Sequence, residues 1–254
     1  MKSSNKIAII TGGGRGLGRS TALSLAGNGS DVILTYHSDQ EAADSAVAEI
    51  AALKRSAVAL KLDAGDTSSF DNFAKTIKST LSEHWGRDHF DFLVNNAGIG
   101  LNRPFAETTE EDFDRLMNVH FKGVYFLTQK LLPLIADGGR IVNVSSGLAR
   151  FSFPGSSAYA SMKGAIEVLT RYLAKELGPR GIAVNTVAPG AIETDFNGGH
   201  VRDNQEVNKL VASVTALGRA GVPEDIGPMI ASLLTENNRW INGQRIEVSG
   251  GMFV

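Results

Sequence analysis

The sequence predicts a doubly wound α/β fold in which a seven-stranded parallel sheet carries helices on both faces. Three observations lead there. Short runs rich in Val, Ile and Leu alternate with longer helical stretches along the chain. The earlier runs are nearly continuous in apolar residues rather than alternating, as expected of strands covered on both faces. The first run also passes through a glycine-rich turn straight into a helix.

The strand candidates, in order, are KIAII (6–10), DVILTY (31–36), AVALKLD (57–63), FDFLVNN (90–96), RIVNVSS (140–146), IAVNTVAP (182–189) and QRIEVSG (244–250). Helical patterns separate them. Gly27 follows STALSLA as a stop, and Ser38 with Glu41 has capping-box spacing before AADSAVAEIAAL. Two long helices are expected at 108–132 and 158–177, and Pro223 opens PEDIGPMIASLLTE at a favoured first-turn position. The stretch from Gly190 to about Gly221 is read as irregular, a substrate loop within one domain spanning 1–254.

The 254 residues are 43% hydrophobic and 20% charged, which suits one well-cored globular domain. A net charge of −2 with both signs interspersed offers no basic stripe, so nucleic acid is not an expected partner. Zero cysteines exclude disulfides and thiolate catalysis. The amino-terminal segment has too short an apolar run for a leader, and no stretch reaches the roughly 18 apolar residues that span a bilayer. The expectation is a cytoplasmic protein without a membrane anchor. The five histidines, His37, His84, His89, His120 and His200, show no metal-ligand spacing, so no metal is expected. His200 is read as a solvated loop residue, and Trp85 and Trp240 as packing residues.

Two groups of residues carry chemistry. In TGGGRGLG (Thr11 to Gly18), the glycines permit φ > 0 and let the backbone approach a pyrophosphate at a helix N-terminus. Further on, Tyr159 and Lys163 stand four residues apart on a helix, so their side chains share a face, about 5 to 6 Å apart at Cβ. A phenol of ordinary pKa about 10 is a poor base, and a nearby ammonium favours its phenolate. Reaching neutrality needs roughly 4 kcal/mol at about 1.4 kcal/mol per unit. Ser146 ends the fifth strand at the carboxyl edge, where open α/β sheets place ligands. Its hydroxyl suits a carbonyl oxygen.

These motifs resemble those of the short-chain dehydrogenase/reductase family. The resemblance covers nearly the whole chain through Thr-Gly-x-x-x-Gly-x-Gly, NNAG at Asn95 to Gly98, the asparagine of MNVHFKG, Ser145–Ser146, YASMK and PGAIETD. It implies a Rossmann-type fold and a catalytic set of Asn118, Ser146, Tyr159 and Lys163, the serine selected over Ser145 by lying 13 residues before the tyrosine. It assigns Gly12, Gly14, Arg15, Gly16, Leu17 and Gly18 to the pyrophosphate turn, and Asp63 and Ala64 to the adenine pocket. Asn95, Ala97 and Gly98 are assigned beneath the cofactor; Pro189, Gly190, Ile192 and Thr194 to the nicotinamide side, with Tyr159 and Lys163 also on it. A homotetramer, a dimer of dimers formed through the two long helices, is implied as well.

Cofactor choice turns on LTYHSD. An NAD site normally presents a carboxylate at the end of the second strand. Here Tyr36, His37 and Ser38 stand instead, while Asp31 starts the strand at the opposite edge and Asp39 complements the next helix. Arg15 supplies a cation where NADP-preferring relatives often carry one. NADP(H) is therefore the expected cofactor, with NAD(H) possible. The expected reaction is reversible reduction of a ketone or aldehyde to an alcohol, and the polarity of 190–221 points to a small or polar carbonyl compound. The alternative is a 3-oxoacyl carrier-protein reductase. Against it, Asp137 stands where docking needs a basic partner for Arg180. A third reading is a non-catalytic NADPH-binding sensor or scaffold.

Overall fold

The strand runs form because β-branched side chains pack well on a pleated surface, and each run then buries two faces at once. A computed structural model describes residues 5–254; residues 1–4, the start of the segment read as no leader, lie outside the described residues. Strands β1 (Ile7–Ile10), β2 (Asp31–Tyr36), β3 (Ala57–Lys61), β4 (Phe90–Asn95), β5 (Ile135–Val144), β6 (Ala183–Pro189) and β7 (Arg245–Val248) form one sheet in the order β3-β2-β1-β4-β5-β6-β7. Every pairing is parallel; Ile9 sits between Ile33 and Leu93. The order reverses between β1 and β4, which opens a crevice at their carboxyl ends.

Side chains alternate between two layers. Ala8 and Ile10 face Leu25 of α1 (Gly16–Gly27), Ile50 of α2 (Gln40–Ala52) and Ile230 of α9 (Pro223–Leu233). Ile7 and Ile9 face Ile77 of α3 (Phe70–Trp85), Leu131 of α5 (Gly123–Leu131) and Ala174 of α6 (Ser157–Glu176). Each fully buried Ile or Leu contributes roughly 1.5–3 kcal/mol. This two-sided burial is why the strand runs read as continuous rather than alternating.

Four local expectations are corrected. The cap of α2 is Asp39, whose carboxylate accepts from Ala42 N at 3.0 Å, because the helix starts one residue later than a Ser38 cap requires. The 190–221 stretch holds α7 (His200–Asp203) and α8 (Gln205–Ser213); the Asn204 side chain caps α8 by accepting from Glu206 N and Val207 N. The long helix at 108–132 is divided into α4 (Glu110–Met117) and α5 by a π turn over Asn118–Lys122. Trp240 is 96% exposed and packs no core, whereas Trp85 packs against the α3 layer and donates Nε1–H to Asp31.

Candidate active site

The glycine turn is held by backbone contacts that leave no room for side chains. Gly12 and Gly16 have φ of 66° and 53°, left-handed values that favour glycine. A Cβ on Gly18 would stand 2.1 Å from Gly12 O. Gly13 N donates to Thr35 O, and Thr11 Oγ1 accepts from both Asn96 N and Ala97 N at 2.9 Å, so the turn is tied to the ends of β2 and β4. The start of α1 has no side-chain cap and no acidic residue in its first turn. Its free N–H groups and dipole suit an anion, and the crowded glycine cradle fits a dinucleotide pyrophosphate. Thr194 closes over it, its Cγ2 3.5 Å from where a Gly16 Cβ would lie.

Asn95 is placed differently from its assignment. Its amide turns into the helix layer, donating to Thr128 Oγ1 and Asn143 Oδ1. The neighbouring Asn96 ties the turn instead, donating to Thr11 O and Gly12 O. Gly98 packs against His120, whose Cε1 would lie 2.7 Å from a Cβ there. Pro189 is buried at the end of β6, Gly190 lies against Ser249, and Ile192 bridges Gly221.

At the ribose corner Tyr36 is half-buried, while His37 and Ser38 are exposed. His37 Nε2 lies 3.5 Å from Asp63 Oδ2, and Asp63 Oδ1 accepts from Gly65 N. Asp31 is far from this corner, bound to Arg55 and Ser56 N at the start of β2. Arg15 is exposed and makes no ion pair or side-chain hydrogen bond among the described residues, whereas Arg19 is held by Ser45 and Glu49.

Three side chains meet at the carboxyl edge. Ser146 follows β5, and its Oγ accepts from Leu148 N at 3.2 Å. Ser145 has a structural role, donating to Glu167 Oε1. On α6, Lys163 Nζ donates to Val144 O at 2.7 Å and lies 5.5 Å from the centre of the Tyr159 ring. Burial pushes the Tyr159 phenol up to about 12, with the Ser146 hydroxyl acting the other way, and pulls the Lys163 ammonium down to about 7. A tyrosine lowered towards neutrality is therefore not what the chain's own groups produce: desolvation outweighs the Ser146 hydrogen bond, and the lysine is itself weakened as a cation. The phenol is protonated at neutral pH, the form a proton donor needs.

The π turn brings a further group that sequence reasoning missed. Asn118 O accepts from Gly123 N, and the Asn118 side chain faces Gly65. His120, 1% exposed, packs edge-on to Tyr159 with ring centres 5.1 Å apart and hydrogen-bonds Ile99. Its place two residues beyond Asn118 carried no signal, because the turn's extra residue breaks the helical period.

A cavity of about 470 Å³ is lined by Leu148, whose N–H bonds Ser146, by Ala160, the residue after Tyr159 on α6, and by Asn102, Pro104, Phe105 and Phe153. Phe196, from the 190–221 segment, reaches to 6.0 Å from the Tyr159 ring. The pair considered for carrier-protein docking lies elsewhere. Arg180 Nε donates to Asp137 at 2.7 Å, before β6 and early in β5, at the edge of the sheet opposite Ser146.

A parallel doubly wound sheet with a nucleotide cradle and a Ser–Tyr–Lys cluster at its carboxyl edge defines a class of dinucleotide-dependent oxidoreductase. A family model described as Enoyl-(Acyl carrier protein) reductase matches residues 12–253, and the chain belongs to the short-chain dehydrogenase/reductase family. It is 37% identical to a hydroxynaphthalene reductase-like protein, Arp2, of Metarhizium brunneum, over 97% of this chain and 94% of that one. Among solved structures, the promiscuous reductase LugOII, which catalyses keto-reduction at C1 during lugdunomycin biosynthesis, superposes with a TM-score of 0.94 at 36% identity, covering 100% of both chains. The angucycline C-6 ketoreductase LanV with bound NADP superposes at 0.93 with 35% identity, covering 98% of this chain and 95% of that one. Among the described residues no group of ligating side chains suits a metal ion, and no helix is long and apolar enough to cross a membrane.

Proposed function

We propose that the protein is an NADPH-dependent ketoreductase whose substrate carries its carbonyl on a fused aromatic ring system. The observation that carries this reading is the phenol of Tyr159 beside Ser146 and Lys163, with a cavity walled by Phe105, Phe153 and two prolines that begins at Ala160, the next residue on α6. Flat apolar walls with a few polar groups, here Asn102, Ser152 and Ser156, suit a hydroxylated planar ligand. Relatives named for a hydroxynaphthalene and an angucycline support the same class. The small polar carbonyl suggested by the 190–221 loop gives way to this reading. The loop's polar residues, such as Asp195 and Arg202, pair with one another at the surface, while Phe196 approaches Tyr159.

When bound, the reduced nicotinamide supplies hydride to the carbonyl carbon. Ser146 donates its hydroxyl hydrogen to the carbonyl oxygen, and Tyr159 gives its proton as negative charge develops there, a step worth roughly 10²–10⁴ in rate for a positioned acid. Lys163 holds positive charge beside the phenol. Asn118 contributes by its backbone, whose carbonyl anchors the π turn. The unpaired Arg15 would hold the 2′-phosphate that distinguishes NADPH from NADH, with His37 as a second donor. The chain assembles as a homotetramer: Phe113, Tyr125 and Phe126 on α4 and α5, and Val168 and Tyr172 on α6, are exposed large apolar side chains on the helices that build such a face.

The test is a panel of fused-ring aromatic ketones, small aliphatic ketones and acyl thioesters, read by nicotinamide absorbance with NADPH and with NADH. Turnover highest on aromatic ketones with NADPH supports the proposal; turnover confined to acyl thioesters overturns the substrate class in favour of the carrier-protein alternative.

A further inference from the structure

We propose that Arg245 and Glu167 are positioning residues for Ser146: together they clamp the end of β5 between α6 and β7 and so set where the Ser146 hydroxyl meets a carbonyl oxygen. The inference rests on the ketoreductase reading above, in which Ser146 holds that oxygen. Glu167 Oε1 accepts from the Ser145 hydroxyl at 2.7 Å and from Arg245 Nε at 2.7 Å. Arg245 Nη1 donates to Glu247 Oε2 at 2.9 Å, and Nη2 to the backbone oxygen of Ser146 itself at 3.4 Å, the longest contact of the set. Each nitrogen of the planar guanidinium fork is thereby engaged by a different acceptor.

The register places these groups on one face. Asn143 of β5, Thr186 of β6 and Arg245 of β7 are lateral neighbours, so Arg245 shares with Asn143 and Ser145 the face turned to α6, where Asn143 donates to Thr170. Glu167 stands one helical turn beyond Lys163 and two beyond Tyr159, on the same stripe of α6 as the proton donor. The Ser145 hydroxyl also lies 3.3 Å from Lys163 O. Glu167 therefore ties the strand end that carries Ser146 to the helix that carries Tyr159 and Lys163. Arg245 is held from its far side as well: Glu247 accepts from Arg150 Nε at 2.6 Å and Nη2 at 2.8 Å, and Arg150 Nη2 donates to Met252 O at 2.7 Å. Two carboxylates and two guanidiniums balance in charge, so no ion is left uncompensated between helix and sheet.

The serine needs such a clamp because it lies past the strand. β5 ends at Val144, Ser145 N carries one more bond to Val187 O at 2.7 Å, and Ser146 then leads, with φ −160° and ψ 150°, into the short turn of Gly147–Ala149. Its carbonyl is held at 3.1 Å by Ala149 N from within that turn and by Arg245 from β7. A hydroxyl that meets a developing oxyanion works only at hydrogen-bond distance, and a displacement of about 1 Å can cost on the order of 100-fold in rate. Arg245 supplies the contact from outside the turn that fixes this peptide against β7, and Glu167 fixes its neighbour against α6.

A double-mutant cycle tests the clamp, read as kcat with NADPH on the carbonyl compound of the panel above that turns over fastest. Arg245→Met should lower kcat roughly 10-fold with the NADPH Kd within about threefold, and Arg245→Lys, which keeps the charge but not the fork, by a smaller factor. Glu167→Leu should lose about as much as Arg245→Met, and Glu167→Gln, whose amide oxygen can accept the same two bonds, should recover most of it. In a Ser146→Ala background neither Arg245 substitution should lower kcat further, because the hydroxyl it positions is gone. Wild-type kcat in Arg245→Met overturns the proposal. So does a full multiplicative loss in the Ser146→Ala background, the result that general loosening of the fold or of the Tyr159 site would give. Should Arg245→Met fail to fold, Arg245→Lys carries the same cycle. Ser146→Ala alone separates the readings: a lowered kcat there beside an unaffected Arg245→Met removes only the clamp, whereas an unaffected Ser146→Ala removes the serine from the ketoreductase reading and the clamp with it.

Discussion

At the level of single residues, the cofactor corner and the proton donor make opposite use of solvent. Arg15 is exposed and unpaired, so its charge is available to a 2′-phosphate but screened. Arg15→Ala should raise KM for NADPH roughly 10-fold, the loss of a charge-assisted hydrogen bond, and leave KM for NADH nearly unchanged. Steady-state kinetics with both cofactors checks it. Asp63, 3.5 Å from His37, stands closer to this corner than the strand-end residues alone suggested. Ser146, Tyr159 and Lys163 were legible in the chain because one helix and one strand end define them. Their protonation was not, since the rise of Tyr159 to about 12 comes from burial that no spacing reveals. His120 was hidden for another reason: its neighbours Gly98, Ile99 and Tyr159 come from distant segments.

At the level of elements, the glycine turn and the segment over the cavity have different tolerances. Gly18→Ala would drive a methyl group into the Gly12 carbonyl, backbone that cannot swing aside. The expected outcome is a destabilisation of about 1–3 kcal/mol together with lost NADPH binding, read by urea unfolding and by nicotinamide fluorescence. Phe196→Ala, by contrast, should leave stability and cofactor binding intact and raise KM for an aromatic ketone several-fold, about the 0.5–1.5 kcal/mol of a ring contact. The seven strands were legible because both-face burial writes them as apolar runs. The helices within 190–221 were not, because α8 is capped by Asn204 in a polar stretch that reads as loop. The break in the 108–132 helix was equally silent: Gly123, where a Cβ would meet Ala64 O at 2.0 Å, marks a close crossing that only the assembled fold displays.

For the whole molecule, the buried lysine and tyrosine tie stability to pH with opposite signs. Lys163 has a folded pKa of about 7 against 10.5 unfolded, so between those values the unfolded chain binds more protons and stability rises with pH. Tyr159, at about 12 folded against 10.0 unfolded, holds its proton longer in the folded chain, so stability falls again as pH passes from 10 towards 12. Lys163→Met should flatten the rising limb, as urea unfolding at pH 7 and at pH 10 will report. Assembly belongs to the same scale, and light scattering should give a mass of four chains. Tyr172→Asp, on the exposed face of α6, should lower it. The central claim is that Tyr159 supplies the proton that completes carbonyl reduction, and the direct measurement is kcat and NADPH affinity of Tyr159→Phe on the best aromatic ketone. The account predicts a kcat at least about 100-fold lower with the NADPH Kd within about threefold; an unchanged kcat at full NADPH saturation would contradict it.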